Sequence, residues 1–428
     1  MIISTRPLKL LPLVLVLGLD PSVWEFFLKP GSGDDPALGQ LQLALLALGL
    51  GAAVWYWRSM EPAMGRFMLL TVAYLLGLML DSYATHGTWI IYMHVFSKVL
   101  VLFMLYGTYG YYHRRGLPPL RPLVGLLLLL LVVNLATQHP EALSLKGFLD
   151  NERGFSADSA LLLLLPTLLC LNWFLQRSSP WALLGFFIGL VLIIFLQHRS
   201  VWIATLVALP INLVLGLRRV PGLRISTQRL VLLVALPLAL GSVAGLATLL
   251  QNPTAVKKKF ADNYEDLTKA DKQGTGSWRV KQMQSYTPLV AERPLLGWRL
   301  EGFEVPMQFY DPSSDQPMWR DGTGHHFHSF YLDRMFYFGW LGVLLVVTPL
   351  CMQVIRRLAN PAPLTAETAA LISLLGGCLV FGLSYDWPLT IYPVWGLLLA
   401  SATPPAPVPA APAPRPAYEP EPLLALSR

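Results

Sequence analysis

Residues 322 to 342 read Gly-Thr-Gly-His-His-Phe-His-Ser-Phe-Tyr-Leu-Asp-Arg-Met-Phe-Tyr-Phe-Gly-Trp-Leu-Gly, and they set His325, His326 and His328 where a large hydrophilic loop runs into an apolar segment of membrane-crossing character. Imidazole exchanges a proton near neutral pH, and a bilayer wall beside it would keep a lipid-borne substrate within reach. This junction separates the loop from the last membrane helices.

The 428 residues are 54% hydrophobic and only 13% charged, too apolar for a soluble domain of ordinary composition. About twelve windows approach the roughly 20 apolar residues that cross a bilayer, near 8–28, 38–57, 67–86, 89–112, 122–138, 159–176, 180–197, 200–217, 230–250, 329–355, 366–385 and 387–402. The tenth is too long to be all membrane. The expected fold is therefore an all-α integral membrane protein. Residues 1–250 would carry the first nine membrane helices, 251–328 one large loop containing helix, 329–402 the last three membrane helices, and 403–428 a disordered Pro/Ala-rich cytoplasmic tail.

Cytoplasmic loops retain Lys and Arg. With the N-terminus inside, the inner loops hold Arg58 and Arg66, then Arg114, Arg115 and Arg121, then Arg177, then Arg218, Arg219, Arg224 and Arg229, and finally Arg356 with Arg357. That choice puts 251–328 on the extracytoplasmic side and both termini in the cytoplasm. Arg6 and Lys9 precede the first apolar run with no small-residue cleavage site after it, so an uncleaved first helix is expected. The net charge of +7 is largely this topological arginine, which argues for membrane orientation and against nucleic-acid binding. Cys170, Cys351 and Cys378 all fall in apolar windows and imply neither a disulfide framework nor a Cys-based metal site.

Within the loop, Lys257, Lys258 and Lys259 form a basic run, followed by Asp262, Glu265 and Asp266. Trp278 to Glu292 reads as a helix kinked at Pro288, with Ser277 as N-cap and Pro294 as stop. Trp278, Gln282 and Ser285 recur at helical spacing, and Arg279, Met283 and Tyr286 line the neighbouring stripe. One face would pack on the membrane domain while the other offers Arg279 to a cavity.

Gln197-His198-Arg199-Ser200 interrupts two apolar runs on the outer side, where the orientation rule disfavours arginine. A guanidinium fork there matches phosphate oxygens, although a structural cap between two helices is the plainer use. Arg279 could add a second cationic arm or lie on a solvated helix face, and Arg153 a third arm or a partner for Glu152. Three histidines within four residues could suggest zinc, but a tight His-His-x-His turn rarely presents all three to one ion without a further ligand from elsewhere, so zinc is not expected; a loop histidine that bonds backbone is the plainer reading. Asp34 and Asp35 could be an acidic metal motif, but Asp-Asp-Pro before an apolar run reads better as a helix cap. His94 and Lys98, one turn apart in the fourth window, share an inward face with Asp81 as possible counter-charge; a buried network and the floor of a site are both open readings. Tyr385, Asp386 and Trp387 read as interface anchors rather than catalysts.

The order of these motifs resembles the O-antigen ligase and polymerase superfamily of bacterial envelope enzymes. An arginine after a polar mid-chain break is similar to Gln197-His198-Arg199-Ser200. An arginine-bearing helix leading to a Pro-Leu-Leu-Gly turn is similar to Arg279 through Arg293-Pro294-Leu295-Leu296-Gly297. A histidine opening the next helix ahead of Gly-x-x-Gly is similar to His328-Ser329 and Gly339-Trp340-Leu341-Gly342. The family often has Asn where Ser329 stands, and its turn normally ends Gly-x-Gly, where Trp298 and Arg299 follow Gly297 here.

The resemblance implies a GT-C-like, metal-independent, inverting glycosyltransferase in the bacterial inner membrane, multi-pass, with its site facing the periplasm and no cofactor. Its donor would be a glycan on undecaprenyl pyrophosphate and its acceptor a lipid A core sugar, both reached among membrane lipids. His328 would be the base, with His326 and His325 as alternatives. Arg199 and Arg279 would hold the pyrophosphate, with Arg153 and Arg293 as further candidates; Gln197, His198, Tyr286, His94 and Lys98 complete the set. An O-antigen polymerase or a protein oligosaccharyltransferase of the same superfamily would share the donor chemistry. A lipid or polysaccharide transporter is the rival from another class, though no internal repeat stands out. No phosphate-cradling Gly-x-x-x-x-Gly-Lys segment occurs, which argues against a free nucleotide as donor.

Overall fold

The described residues of the computed structural model are 10–18, 20, 36–150, 152–268, 276–301 and 327–403. Asp34, Asp35, His325, His326, the Pro/Asp-rich stretch 305–321 and the tail from 404 lie outside them. Among the described residues there is helix and no strand. The helices are α1 (Leu11–Leu17), α2 (Pro36–Tyr56), α3 (Pro62–His86), α4 (Met93–Tyr112), α5 (Leu120–Gln138), α6 (Leu145–Leu149), α7 (Ala157–Leu162), α8 (Leu164–Arg177) and α9 (Pro180–Phe195). They continue as α10 (Arg199–Arg219), α11 (Thr227–Leu230), α12 (Leu236–Gln251), α13 (Pro253–Thr268), α14 (Gly276–Glu292), α15 (Phe330–Ala359), α16 (Ala366–Phe381) and α17 (Ile391–Ala402).

Among the described residues, six helical stretches are long and apolar enough to cross a membrane, and Pro180–Phe195, Ala366–Phe381 and Ile391–Ala402 are shorter apolar helices. These are the dimensions of a multi-pass membrane protein. Proline explains two departures from single unbroken windows. The sixth splits at Leu163, because Pro166 has no N–H to give the carbonyl of Leu162, and the ninth passes through a π turn, Val231–Ala235, just before Pro237.

Helix α4 is buried from Val95 to Tyr112 on most sides, α8 is buried from Leu164 to Leu175, and α16 and α17 belong to the same core. Leu48, Leu76, Leu129, Leu206 and Leu344 stay exposed on the outer helices, as residues facing hydrocarbon would. Polar pairs lock the inner helices together. Asn172 and Asn212 exchange amide hydrogen bonds of 3.0 and 2.8 Å, and Asn172 also donates to the carbonyl of Ala366 at 2.9 Å, joining α8, α10 and α16.

Arginine-bearing loops meet at one end of the bundle. Arg356 pairs with Glu61 at 3.2 Å, Arg219 donates to the carbonyl of Leu358 at 2.9 Å, and Arg229 donates to that of Leu175 at 2.5 Å. At the other end, α15 bends where Gly339 adopts φ 61°, ψ −159°. The bend receives the turn 293–299: Trp298 and Arg299 donate to the carbonyls of Phe336 and Tyr337 at 2.9 and 2.8 Å, and Trp340 donates to that of Pro294 at 2.8 Å. A Cβ on Gly297 would collide with the backbone at Phe336 to Phe338, and one on Gly339 with the backbone of Leu295. The two glycines thus let backbone meet backbone, which explains why the Pro-Leu-Leu-Gly turn and the later Gly-x-x-Gly belong together.

Candidate active site

At that second end a cavity of about 480 Å³ is walled by Arg153, the break Gln197-His198-Arg199, Arg279 and Gln282 of α14, His328 with Ser329, and Leu383 to Tyr385 of the α16–α17 loop. Among the described residues no Asp or Glu lines it. Three guanidinium groups therefore share one space whose described wall carries no carboxylate. Helix α10 starts there at Arg199, so the positive end of a 21-residue helix adds to the same potential.

The break between α9 and α10 is held by unusual backbone and by its own side chains bonding backbone carbonyls of the α6–α7 loop. Gln197 sits at φ 59°, a left-handed conformation that a non-glycine residue adopts only under tertiary constraint. Its amide donates to the carbonyl of Glu152 at 3.4 Å, and Nε2 of His198 donates to that of Phe155 at 2.7 Å. Both bonds tie the segment that carries Arg153 to the one that carries Arg199. Burial, aided by the charges of Arg153 and Arg279, depresses His198 to about 4 against the opposing Phe155 hydrogen bond, so its ring is neutral at pH 7.

Arg279 is fixed by Tyr385, donating to its phenol oxygen at 2.9 Å while its guanidinium lies 4.3 Å from the ring centroid. His328 stands between aromatic edges, 6.0 Å from Trp278 and 6.1 Å from Tyr385. The loop bearing Tyr385 is itself docked on the start of α15. The N–H of Phe330 bonds the carbonyls of Gly382 and Tyr385 at 2.9 and 3.2 Å, and Trp387 stacks on Phe330 at 4.2 Å. The arrangement can hold an anion with several oxygens beside a half-buried imidazole.

Several sequence expectations are corrected by packing. Tyr385 lies on the cavity wall in contact with Arg279. Tyr286 is wholly buried and packs edge-on to Phe327 and Phe336 at 4.8 and 5.6 Å, so the buried stripe of α14 is Trp278, Gln282 and Tyr286, with Ser285 off it. Helix α14 starts at Gly276, which puts Ser277 inside its first turn rather than at the cap. Arg293 pairs with Glu301 over the Trp298 ring, away from the cavity lining.

His94 and Lys98 do not line the cavity either. His94 packs edge-on to Tyr337 at 6.1 Å, and Lys98 pairs with Asp333 at 2.6 Å, while Asp81 instead meets Arg299 at 3.5 Å. Asp333 is also bonded by Arg334, which reaches Asp386 at 3.5 Å and Tyr392 at 3.1 Å. Among the described residues no group of three or more His, Cys, Asp or Glu side chains is placed to hold a metal ion.

A protein-family model described as O-Antigen ligase matches residues 184–347, a span that holds Arg199, Arg279 and His328 and supports assignment of the chain to that family. No curated protein matches the chain.

Proposed function

Starting from the O-antigen ligase family assignment over residues 184–347, we propose that the chain is the ligase itself, moving a glycan from undecaprenyl pyrophosphate to a lipid A core sugar. The supporting observation is the cavity with three arginines, two histidines (His198 and His328) and, among the described residues, no carboxylate on its wall. The arginine-rich end would face the cytoplasm and the cavity the periplasm of the bacterial inner membrane, with the apolar windows crossing as about twelve helices in a GT-C-like bundle.

In this reading the pyrophosphate of the donor lies among Arg199, Arg279 and Arg153, its prenyl tail in the bilayer. His328 accepts the proton of the acceptor hydroxyl as that oxygen bonds the anomeric carbon. The bond from that carbon to the pyrophosphate oxygen breaks, and undecaprenyl pyrophosphate leaves carrying the charge that the guanidinium groups neutralise. Attack opposite the leaving group inverts the anomeric carbon. The phenol of Tyr385 keeps Arg279 aimed at the leaving oxygens.

The test is purified protein in detergent and chelator with undecaprenyl-pyrophosphate glycan and lipid A core, comparing wild type with Arg199→Ala, Arg279→Ala and His328→Ala. Transfer by wild type alone supports the reading. Donor glycans that lengthen while lipid A core stays bare identify a polymerase, and no joining with any acceptor points to transport. Separate His325→Ala and His326→Ala variants ask whether His328 is the base, which requires both to keep transfer.

A further inference from the structure

Lys259, from the basic run at the start of the large loop, reaches back from α13 to the break beside Arg199. Its ammonium donates to the side-chain oxygen of Gln197 and to the carbonyl of Phe148, and lies 4.6 Å from the Phe148 ring centroid. Phe148 in turn packs on Phe195, the last residue of α9, at 5.4 Å. One cation therefore joins α13, α6 and the break. Gln197 is the residue that needs such support, since it is 6% exposed and held at φ 59° directly before His198 and Arg199.

We infer that Lys259 is a positioning residue that clamps Gln197 and thereby fixes the break presenting Arg199 to the cavity. A neutral side chain there would leave the Gln197 oxygen and the Phe148 carbonyl without this donor and relax the left-handed turn. The groups facing Lys259 are Arg153 and Arg199, which repel its charge, and Asp262 and Asp150, which favour it. Burial and the two arginines bring its ammonium down to about 8, so the clamp loses its proton in mildly alkaline solution, whereas a guanidinium would keep its own. The catalytic consequence rests on the proposed transfer reaction; the clamp does not.

The experiment measures amide hydrogen exchange over residues 195–202 in the full chain in detergent for wild type, Lys259→Met, Lys259→Arg and, as a charge control, Lys258→Met. Lys258 is exposed on the same helix. The amides of Leu196, Gln197, Val201 and Trp202 are hydrogen-bonded around the break. Loss of the clamp should lower their protection about tenfold, the scale of one charge-assisted hydrogen bond, in Lys259→Met and not in Lys258→Met. Wild-type protection should also fall between pH 7 and 9, with Lys259→Arg holding steady.

Unchanged protection in Lys259→Met, or an equal fall in Lys258→Met, overturns the inference. Should Lys259→Met not fold, the wild-type and Lys259→Arg pH series decides by itself: two parallel profiles sink the clamp. Glycan transfer is read in parallel, with an expected drop in kcat of about tenfold for Lys259→Met and recovery in Lys259→Arg. If wild type transfers no glycan at all, the ligase reading fails while the exchange data still decide the clamp.

Discussion

At the end of the bundle away from the cavity, Arg219 donates to the carbonyls of Leu358, Asn360 and Ala362, and Arg357 donates to those of Ala362 and Pro363. At the cavity end, Arg279 donates to the phenol of Tyr385, its Nε has no hydrogen-bond partner among the described residues, and Arg153 and Arg199 line the same space. The first set spends its donors on helix ends and loop backbone, which fixes chain reversals. The second set lines a space on whose wall no Asp or Glu stands among the described residues. The same side chain thus serves folding at one end and can serve an anion at the other, and the difference lies in its acceptors.

The sharpest way to break this contrast is to remove arginine from each end and compare activity per folded molecule. Arg199→Ala or Arg279→Ala should lower glycan transfer about 100- to 1000-fold, as loss of a donor to a leaving anion does, with little change in melting temperature. Arg219→Ala should do the opposite. Three carbonyls lose their donor, stability falls by about 1–3 kcal/mol in a thermal melt, and transfer by the remaining folded protein stays near wild type. A large catalytic defect from Arg219→Ala would erase the distinction.

Tyr385→Phe refines the cavity side. It keeps the ring beneath Arg279 but removes the acceptor at 2.9 Å, so a drop in kcat of about tenfold with the fold intact is expected. Normal kinetics for this variant would mean that the phenol does not aim the guanidinium.

The smallest effect concerns pH. His198 is held at about 4, below its unfolded value of 6.5, so the native state binds fewer protons than the unfolded one. Its contribution to stability is present above about 6.5 and is lost as pH falls toward 4. Melting curves between pH 7 and 4 should show a shallower acid decline in His198→Gln than in wild type, and identical slopes would refute the buried neutral imidazole.

Much of this was legible in the chain. Long apolar runs give helices because hydropathy is a property of contiguous residues, and Gln197-His198-Arg199-Ser200 stands out as a polar break between two of them. The helix bearing Arg279 could be read from its periodicity. From the sequence Tyr385 reads as an interface anchor, because Tyr and Trp at a helix end commonly serve as one; the one signal that it belongs to the cavity is its position on the same outer end as Arg279. Lys259 was one of three lysines in a row, and nothing local singles it out. From the sequence Lys98 has Asp81, the acid at the end of the preceding helix, as its counter-charge, yet its partner Asp333 lies 235 residues away.

The sequence by itself determined an all-α, membrane-grade chain, its arginine-bearing loops, and the set of cations and histidines from which a site could be built. Tertiary structure alone decided which of them meet: Arg153, Arg199, Arg279 and His328 around one cavity, with Arg293 and Lys98 drawn into ion pairs elsewhere. Helix formation and hydropathy act over a few residues and can be read in order along the chain. Ion pairing falls off with distance in space, and those distances exist only once the helices have packed.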